Sequence, residues 1–407
     1  MKHLLHLLIL LFSANTVFGT TQHAYVCDQQ SNSVTIIDVS NDTTQTIYGF
    51  TNPRVVQVNP DGTRAFVGSD DNTVRVINTI TTTVEPVVIN VVHPVALAVS
   101  PSADFLYVAS NNNTVSVIET STYTIKTVIT GFTNLQDIKV TPDGAYIYVT
   151  NAGNGTVSVI QASDNTIVDT ITGFQKPIGI TFTVDGTYAY VTETSTNSVY
   201  VVDISSNTIV DLILGFDLPA YIAVSPDKSN VFVSNTGNST ISNIRTSDNF
   251  IISTFIIPSP KSIAVTQDGN YLYIGSDLET VYKVDRITNN ILTAIPGFKN
   301  PSNIALTTNN ISSNTVNGCK VVVSPTDVYN IVSWAAGPGT PVSYSIYRDT
   351  ALSHFIITVS AGILEYVDTH RVPGQSYSYF VLANYANGFS STIGSVAVTP
   401  VRLCQNP

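Results

Sequence analysis

Residues 148–151 read Tyr-Val-Thr-Asn, and an aromatic residue followed by Val or Ile recurs at nearly constant spacing on both sides of them. The seven aromatic residues are Tyr25, Phe66, Tyr107, Tyr148, Tyr190, Phe232 and Tyr273. Successive members are 41 or 42 residues apart, which is the length of a unit of four short strands. A period this regular over seven units predicts a repeat architecture.

Each unit shows the same order of local signals. A Gly-Phe pair and a Pro come first, as at Gly173, Phe174 and Pro177, and an alternating strand follows. A turn such as Asp185-Gly186 then precedes the aromatic strand, because hairpin turns need the positive φ that glycine adopts easily. A polar loop and two strands rich in Val, Ile and Thr complete the unit. Four antiparallel strands repeated seven times predict an all-β fold, a seven-bladed β-propeller.

The repeat region starts and stops inside a unit. Residues 25–47 supply only the second to fourth strands, whereas residues 297–306 supply only the first. The fragments are complementary, so we expect both ends to meet in one closing blade, which removes an exposed sheet edge. The predicted propeller covers residues 20–309, and a polar linker follows at residues 310–318.

The last segment, residues 319–407, has short alternating strands but no 41-residue period. It contains the only tryptophan, Trp334, and a tyrosine, Tyr377, four residues after Pro373. A core Trp with a Tyr near the start of a later strand resembles a fibronectin type III domain, which implies a β-sandwich.

The tetrad at residues 148–151, the period, the Gly-Phe-Pro start and the Asp-Gly turn together resemble the YVTN β-propeller repeat proteins of bacteria and archaea. The resemblance covers about residues 21–309. It implies an exported or surface protein that binds a partner. Only one unit carries the full tetrad, so no shared ligand is implied.

Residues 1–19 have the pattern of a secretory signal peptide: Lys2, an apolar run over residues 4–12, and Gly19 at the cleavage position. The run is too short to span a bilayer, and no later stretch is long enough. We therefore expect an exported protein without a transmembrane segment, located in the periplasm, at the cell surface or outside the cell. Its net charge of −11 argues against a nucleic-acid partner.

The three cysteines are Cys27, Cys319 and Cys404. In an oxidising compartment one disulfide is possible. Cys319 with Cys404 is the first candidate, and Cys27 with Cys319 is the alternative. The cysteine spacing does not fit a zinc site, and no cofactor is predicted.

The first strand of each blade lines the central channel of a propeller, so equivalent residues of the seven strands form rows around the channel mouth. Polar side chains in these rows stand out in a chain with only 11% charged residues. The candidate ligand-binding residues are Arg54, Gln136, Asp137, Lys139, Tyr221, Lys261 and Asn303, together with His93 in the loop before its strand. Buried charges are costly unless they are paired or hydrated. The residues therefore indicate one of two arrangements. Either they line a water-filled channel mouth that binds a polar or anionic group, or they form salt bridges with one another around a solvated channel mouth.

Three polar loops, at residues 111–114, 151–156 and 235–240, are expected on the same face and offer a surface for peptide or glycan. The preferred hypothesis is a non-enzymatic binding or scaffold protein whose partner is a protein, peptide, glycan or small polar ligand. One alternative is a metal-dependent enzyme with its site on this face, since streptogramin lyases resemble the chain in blade count. Another is a structural surface-coat protein.

Overall fold

The computed structural model describes residues 22–307 and seven strands between residues 320 and 398. The chain divides into a propeller unit, residues 21–311, and a second unit that contains the later strands. No helix in the described ranges is long and apolar enough to cross a membrane.

Residues 22–307 form seven four-stranded antiparallel sheets, which are the blades of the propeller. The closing blade consists of β28 (Pro301–Leu306), β1 (His23–Asp28), β2 (Ser33–Asp38) and β3 (Thr44–Tyr48). Blade 1 consists of β4 (Pro53–Val58), β5 (Arg64–Ser69), β6 (Thr73–Asn78) and β7 (Thr83–Asn90). Blade 2 consists of β8 (Pro94–Val99), β9 (Phe105–Ser110), β10 (Thr114–Glu119) and β11 (Thr124–Ile129). Blade 3 consists of β12 (Leu135–Val140), β13 (Tyr146–Asn151), β14 (Thr156–Gln161) and β15 (Thr166–Ile171).

The remaining blades follow the same order. Blade 4 consists of β16 (Pro177–Phe182), β17 (Tyr188–Glu193), β18 (Ser198–Asp203) and β19 (Thr208–Leu214). Blade 5 consists of β20 (Pro219–Val224), β21 (Asn230–Asn235), β22 (Thr240–Arg245) and β23 (Phe250–Ile256). Blade 6 consists of β24 (Pro260–Val265), β25 (Tyr271–Ser276), β26 (Thr280–Asp285) and β27 (Ile291–Pro296). The prediction of a seven-bladed all-β propeller is confirmed.

The ring closes by pairing the two ends of the repeat region in one blade. Strand β28 pairs antiparallel with β1, with Tyr25 opposite Ala305. Two further hydrogen bonds fasten the junction: Gln22 Nε2 donates to the Thr307 carbonyl at 2.6 Å, and the His23 amide donates to Thr307 Oγ1 at 2.9 Å. The closing blade is therefore built from both ends of the repeat region, as the sequence predicts.

The repeated aromatic residues form the core between neighbouring blades. All seven are at most 1% exposed. Three of the tyrosines also donate a hydrogen bond to the next blade: Tyr148 to Asn207 Oδ1, Tyr190 to Asn249 Oδ1 and Tyr273 to Asp42 Oδ1. An aromatic ring with a hydroxyl at its tip thus buries apolar area and also fixes the spacing between blades.

The fourth position of the tetrad is always polar and always buried, although its identity varies. Asp28, Asn151, Glu193 and Asn235 accept hydrogen bonds from backbone amides in the loop that precedes the first strand of their own blade. We call this segment the leading loop. At these four positions the buried polar side chain therefore satisfies backbone amides of the leading loop.

The Asp-Gly pairs form the tight turns that the sequence predicts. Gly186 has a φ of +69°, and Asp185 Oδ1 accepts hydrogen bonds from Thr183 Oγ1 at 2.7 Å and the Thr187 amide at 3.1 Å. These bonds lower the pKa of Asp185 to about 2, with the Thr183 hydroxyl as the largest cause. The carboxylate therefore stabilises its own turn.

We expect the melting temperature of the propeller to fall as the pH drops from about 4, the ordinary pKa of aspartate, to about 2. A carboxylate whose pKa is lower in the folded protein than in the unfolded chain stabilises the fold above about pH 4. Protonation of that carboxylate at lower pH removes this stability. The pKa of Asp143 is lowered in the same way by Thr141 Oγ1 and the Ala145 amide. Circular dichroism melts at pH 7, 4 and 2.5 measure the effect. An Asp143→Asn/Asp185→Asn variant should show a smaller drop, and an equal drop would contradict this assignment.

The second unit contains two antiparallel sheets among its described strands. The three-stranded sheet has the order β29 (Lys320–Val323), β30 (Asn330–Ser333) and β33 (Glu365–Asp368). The four-stranded sheet has the order β32 (Phe355–Ser360), β31 (Ser343–Arg348), β34 (Tyr377–Asn384) and β35 (Ser390–Val398). The predicted signal peptide, the linker, Trp334, Cys319 and Cys404 lie outside the described residues.

Candidate binding site at the channel mouth

The seven first strands surround a central cavity of about 390 Å³. Five of the predicted residues line it: Gln136, Asp137, Lys139, Tyr221 and Asn303. The other three predicted residues, Arg54, His93 and Lys261, lie at the end of the propeller that carries the leading loops. We call this end the mouth face.

Asp137 and Lys139 form an ion pair within the wall of the cavity. Lys139 Nζ lies 3.2 Å from Asp137 Oδ1, and Asp137 Oδ2 accepts the Ile180 amide of blade 4 at 3.1 Å. The carboxylate thus joins blades 3 and 4 while it neutralises the lysine. Asn303 has the same structural role on the other side of the ring, because its Oδ1 accepts the Val56 amide of blade 1 at 3.0 Å.

Arg54 is paired with a residue that the row alignment missed. Its Nε forms a hydrogen-bonded ion pair with Asp70 Oδ1, and Asn52 Nδ2 donates to Asp70 Oδ2. His93 Nε2 lies 3.6 Å from the same carboxylate. Asp70 is therefore the centre of the cluster at this side of the mouth.

Lys261 has the equivalent arrangement in blade 6. Its Nζ lies 2.5 Å from Asp277 Oδ1 and donates to Asn300 Oδ1 at 2.9 Å. Asp70 and Asp277 both follow the aromatic tetrad directly. The sequence contains a signal for this pairing, because the two blades with a cation after the Pro position are the two with Asp after the tetrad.

The position of His93 is explained by the backbone. His93 has a φ of +42°, and its amide donates to Asn72 Oδ1 at 2.8 Å. The equivalent residue Asn134 also has a positive φ, and its amide donates to Asn113 Oδ1. Non-glycine residues with positive φ are most often Asn, Asp or His. His93 therefore fits a repeated loop connection, with its imidazole close to Asp70.

The polar loops at residues 111–114, 151–156 and 235–240 are partly used inside the propeller. Asn113 accepts the leading-loop amide described above, and Asn151 and Asn235 are 1% exposed. The exposed groups left for a partner on these loops include Asn111 and Asn112.

Tyr221 is the aromatic group of the cavity wall, and its side chain is about one-third exposed (36%). Burial raises the pKa of its phenol, and the nearby carboxylates of Asp277 and Asp137 add to the rise. The phenol therefore stays protonated at neutral pH and can donate a hydrogen bond to a ligand.

Cys27 is a fully buried free thiol in β1. Both predicted pairings of Cys319 stay predictions, because Cys319 lies outside the described residues. Burial raises the pKa of the Cys27 thiol, which makes it unreactive. Within residues 22–307 and the later described strands, no group of three or more His, Cys, Asp or Glu side chains is placed to hold a metal ion.

Two repeat families match parts of the propeller. The WD domain, G-beta repeat, matches residues 30–78, and the LVIVD repeat matches residues 182–217. No curated protein matches the sequence.

Solved structures with the same fold were also found. One is Kuenenia stuttgartiensis hydrazine synthase, with a TM-score of 0.58 and 19% identity over 69% of this chain and 92% of the other. Another is a functionally unknown protein from Desulfotomaculum acetoxidans DSM 771, with a TM-score of 0.63 and 17% identity over 70% and 99%. At this identity the likeness concerns the fold alone. The matching repeats and the seven blades together support a β-propeller repeat protein.

Proposed function

We propose that this chain is an exported, non-enzymatic binding or scaffold protein of the YVTN type, which binds an uncharged polar group at the mouth of its central channel. The observation that carries the proposal is the wall of the 390 Å³ cavity, where a protonated tyrosine and two amide side chains, Gln136 and Asn303, stand beside a neutralised ion pair. Pockets of this size with a few polar groups are typical ligand sites.

The charges of the mouth favour a neutral ligand over an anion. Arg54, Lys139 and Lys261 are each paired with a carboxylate of their own blade. An anion would have to compete with these carboxylates for the cations, whereas a hydroxyl or amide group needs only hydrogen-bond partners. A glycan or a polar peptide side chain meets this requirement.

The second unit is proposed as a fibronectin type III-like spacer or binding module. The support is its strand order, with three strands in one sheet and four in the other, as in sandwich domains with seven strands. Export is proposed from residues 1–19, and the protein purified from the exported fraction should begin at residue 20.

We expect replacement of Tyr221 by Ala to weaken ligand binding about tenfold or more, because a protonated phenol and its ring are lost from the cavity wall. The measurement is binding of the purified protein to arrays of neutral glycans and peptides, followed by titration of each hit. Tyr48→Ala is a matched control, since Tyr48 lies on the outer strand β3 of the closing blade and is 70% exposed.

Equal affinity of Tyr221→Ala and Tyr48→Ala would show that ligand does not enter the channel. An Arg54→Ala/His93→Ala double variant tests the rim separately. Metal analysis of the same preparation addresses the enzymatic alternative, because a stoichiometric metal would contradict the proposed binding role.

A further inference from the structure

A second cavity, of about 460 Å³, lies between blades 2 and 3. Its walls come from the turn between β8 and β9, the turn between β12 and β13, and the start of the turn between β14 and β15. These turns lie at the opposite end of the strands from the leading loops. The cavity is therefore separate from the channel mouth.

The cavity exists because blade 3 has a small residue at a position where other blades have a large one. Ala162 lines it, whereas the equivalent position is Ile204 in blade 4 and Arg286 in blade 6. Arg286 fills its place between blades 5 and 6, where Nη2 lies 2.8 Å from Asp227 Oδ2 and Nη1 lies 3.1 Å from Asn230 Oδ1. The space that the Arg286 side chain fills between blades 5 and 6 is therefore open between blades 2 and 3.

A second difference enlarges the space beside Tyr107. At the next interface the ring of Phe182 packs against Tyr148, with 5.1 Å between the ring centroids. The residue equivalent to Phe182 is Val140, which has a smaller side chain. The room that an aromatic ring uses between blades 3 and 4 is therefore available between blades 2 and 3.

Two polar groups at this interface lack the partners that their equivalents have at the two following interfaces. Tyr148 and Tyr190 donate to Asn207 and Asn249 of the following blade. Tyr107 lines the cavity and is 1% exposed, and its hydroxyl has no hydrogen-bond partner among the described residues. The equivalent asparagine is Asn165, whose Oδ1 is buried and also without a partner. Of the two groups, only the Tyr107 side chain lines the cavity, so its hydroxyl is available to a molecule bound there.

The other walls define the chemistry of the occupant. Pro101, Phe105, Ala145 and Tyr146 supply apolar and aromatic surface, and Asp143 is the one ionisable wall group other than the tyrosines. No cationic side chain lines the cavity, so an anion has no partner there. Aromatic rings together with hydroxyl, amide and carboxylate groups suit a ring compound with apolar C–H faces and hydroxyl groups.

We propose that the cavity between blades 2 and 3 binds a neutral sugar ring, with the Tyr107 hydroxyl donating a hydrogen bond to it. The inference is independent of the proposed function, because it uses neither the channel nor the mouth face.

Saturation-transfer NMR on the whole protein tests the proposal, with the methyl glycosides of glucose, galactose, mannose and N-acetylglucosamine as probes. We expect transfer to at least one probe. Ala162→Ile should abolish it, because the larger side chain fills the cavity. The variant should still fold, because isoleucine occupies the equivalent position, Ile204, in blade 4. Tyr107→Phe should weaken binding about fivefold through the loss of one hydrogen bond.

Two control variants should leave the signal unchanged. Tyr190→Phe removes a hydroxyl that is already paired with Asn249, and Tyr48→Ala alters only the outer strand of the closing blade. The proposal is overturned if no probe receives transfer, or if transfer survives Ala162→Ile. It is also overturned if a crystal soaked with the binding probe shows only water beside Tyr107. All variants are also measured in a Tyr221→Ala background, so that a glycan in the channel does not contribute to the signal. Loss of transfer on Tyr221→Ala alone would place the sugar in the channel and overturn the present proposal.

Discussion

Replacement of Lys283 by Met is expected to lower the free energy of unfolding of the propeller by about 3–5 kcal/mol, the usual cost of removing one partner from a buried ion pair. Lys283 is 7% exposed, and its Nζ lies 2.9 Å from Asp42 Oδ1 and 2.8 Å from the Val39 carbonyl. Asp42 also accepts hydrogen bonds from Tyr273 and Thr293. Because Asp42 belongs to the closing blade and Lys283 to blade 6, the variant weakens the junction that completes the ring.

Urea unfolding followed by tyrosine near-ultraviolet circular dichroism measures the effect, since most of the 20 tyrosines lie in the propeller. The single Trp334 is in the C-terminal segment, so its fluorescence follows the other unit separately. Lys228→Met is the matched control, because Lys228 forms a half-exposed pair with Asp185 at 3.7 Å and should cost under about 0.5 kcal/mol. A Lys283→Met/Asp42→Asn double variant should lose less than the sum of the single changes. Equal losses for Lys283→Met and Lys228→Met would contradict the assigned role.

Replacement of Glu193 by Ala is expected to cost about 3 kcal/mol, because a buried carboxylate that accepts backbone amides is removed. Glu193 is 0% exposed, and its oxygens accept the amides of Gln175 at 2.8 Å, Lys176 at 2.7 Å and Ser195 at 3.0 Å. Without the carboxylate, the leading loop of blade 4 keeps amide donors that have no other partner.

A graded pair of variants separates hydrogen bonding from simple loss of volume. Glu193→Gln keeps one acceptor oxygen at nearly the same size and should cost about 1–2 kcal/mol, less than Glu193→Ala. Thermal and urea unfolding give both values. If Gln and Ala were equally destabilising, acceptance of the loop amides would not be the source of the stability.

The blade number and the closing blade follow from the sequence because each repeat carries its own turn, strand and aromatic signals. The row alignment of the first strands also identifies the channel wall, since residues at one repeat position are equivalent in a closed ring. Gln136, Asp137, Lys139, Tyr221 and Asn303 accordingly line the cavity.

The pairing partners were not predicted, because they come from different segments of the chain. Asp70 reaches Arg54 across the sheet within one blade, and Asp137 reaches the Ile180 amide in the next. Such contacts leave no local pattern in a single repeat. Comparison of the repeats with one another supplies the missing signal, because Arg54 and Lys261 occur in the two blades that also carry Asp70 and Asp277.

The mixed origin of the closing blade has a consequence for synthesis on the ribosome. The His23 amide and its partner Thr307 are 284 positions apart, so at translation rates of about 5–20 residues per second β1 waits roughly 15–60 seconds for β28. During that time β1 presents an unpaired edge to the cell. In a circular permutant of residues 22–307 alone, with its termini between β3 and β4, β28 would be translated directly before β1 and every blade would consist of consecutive strands.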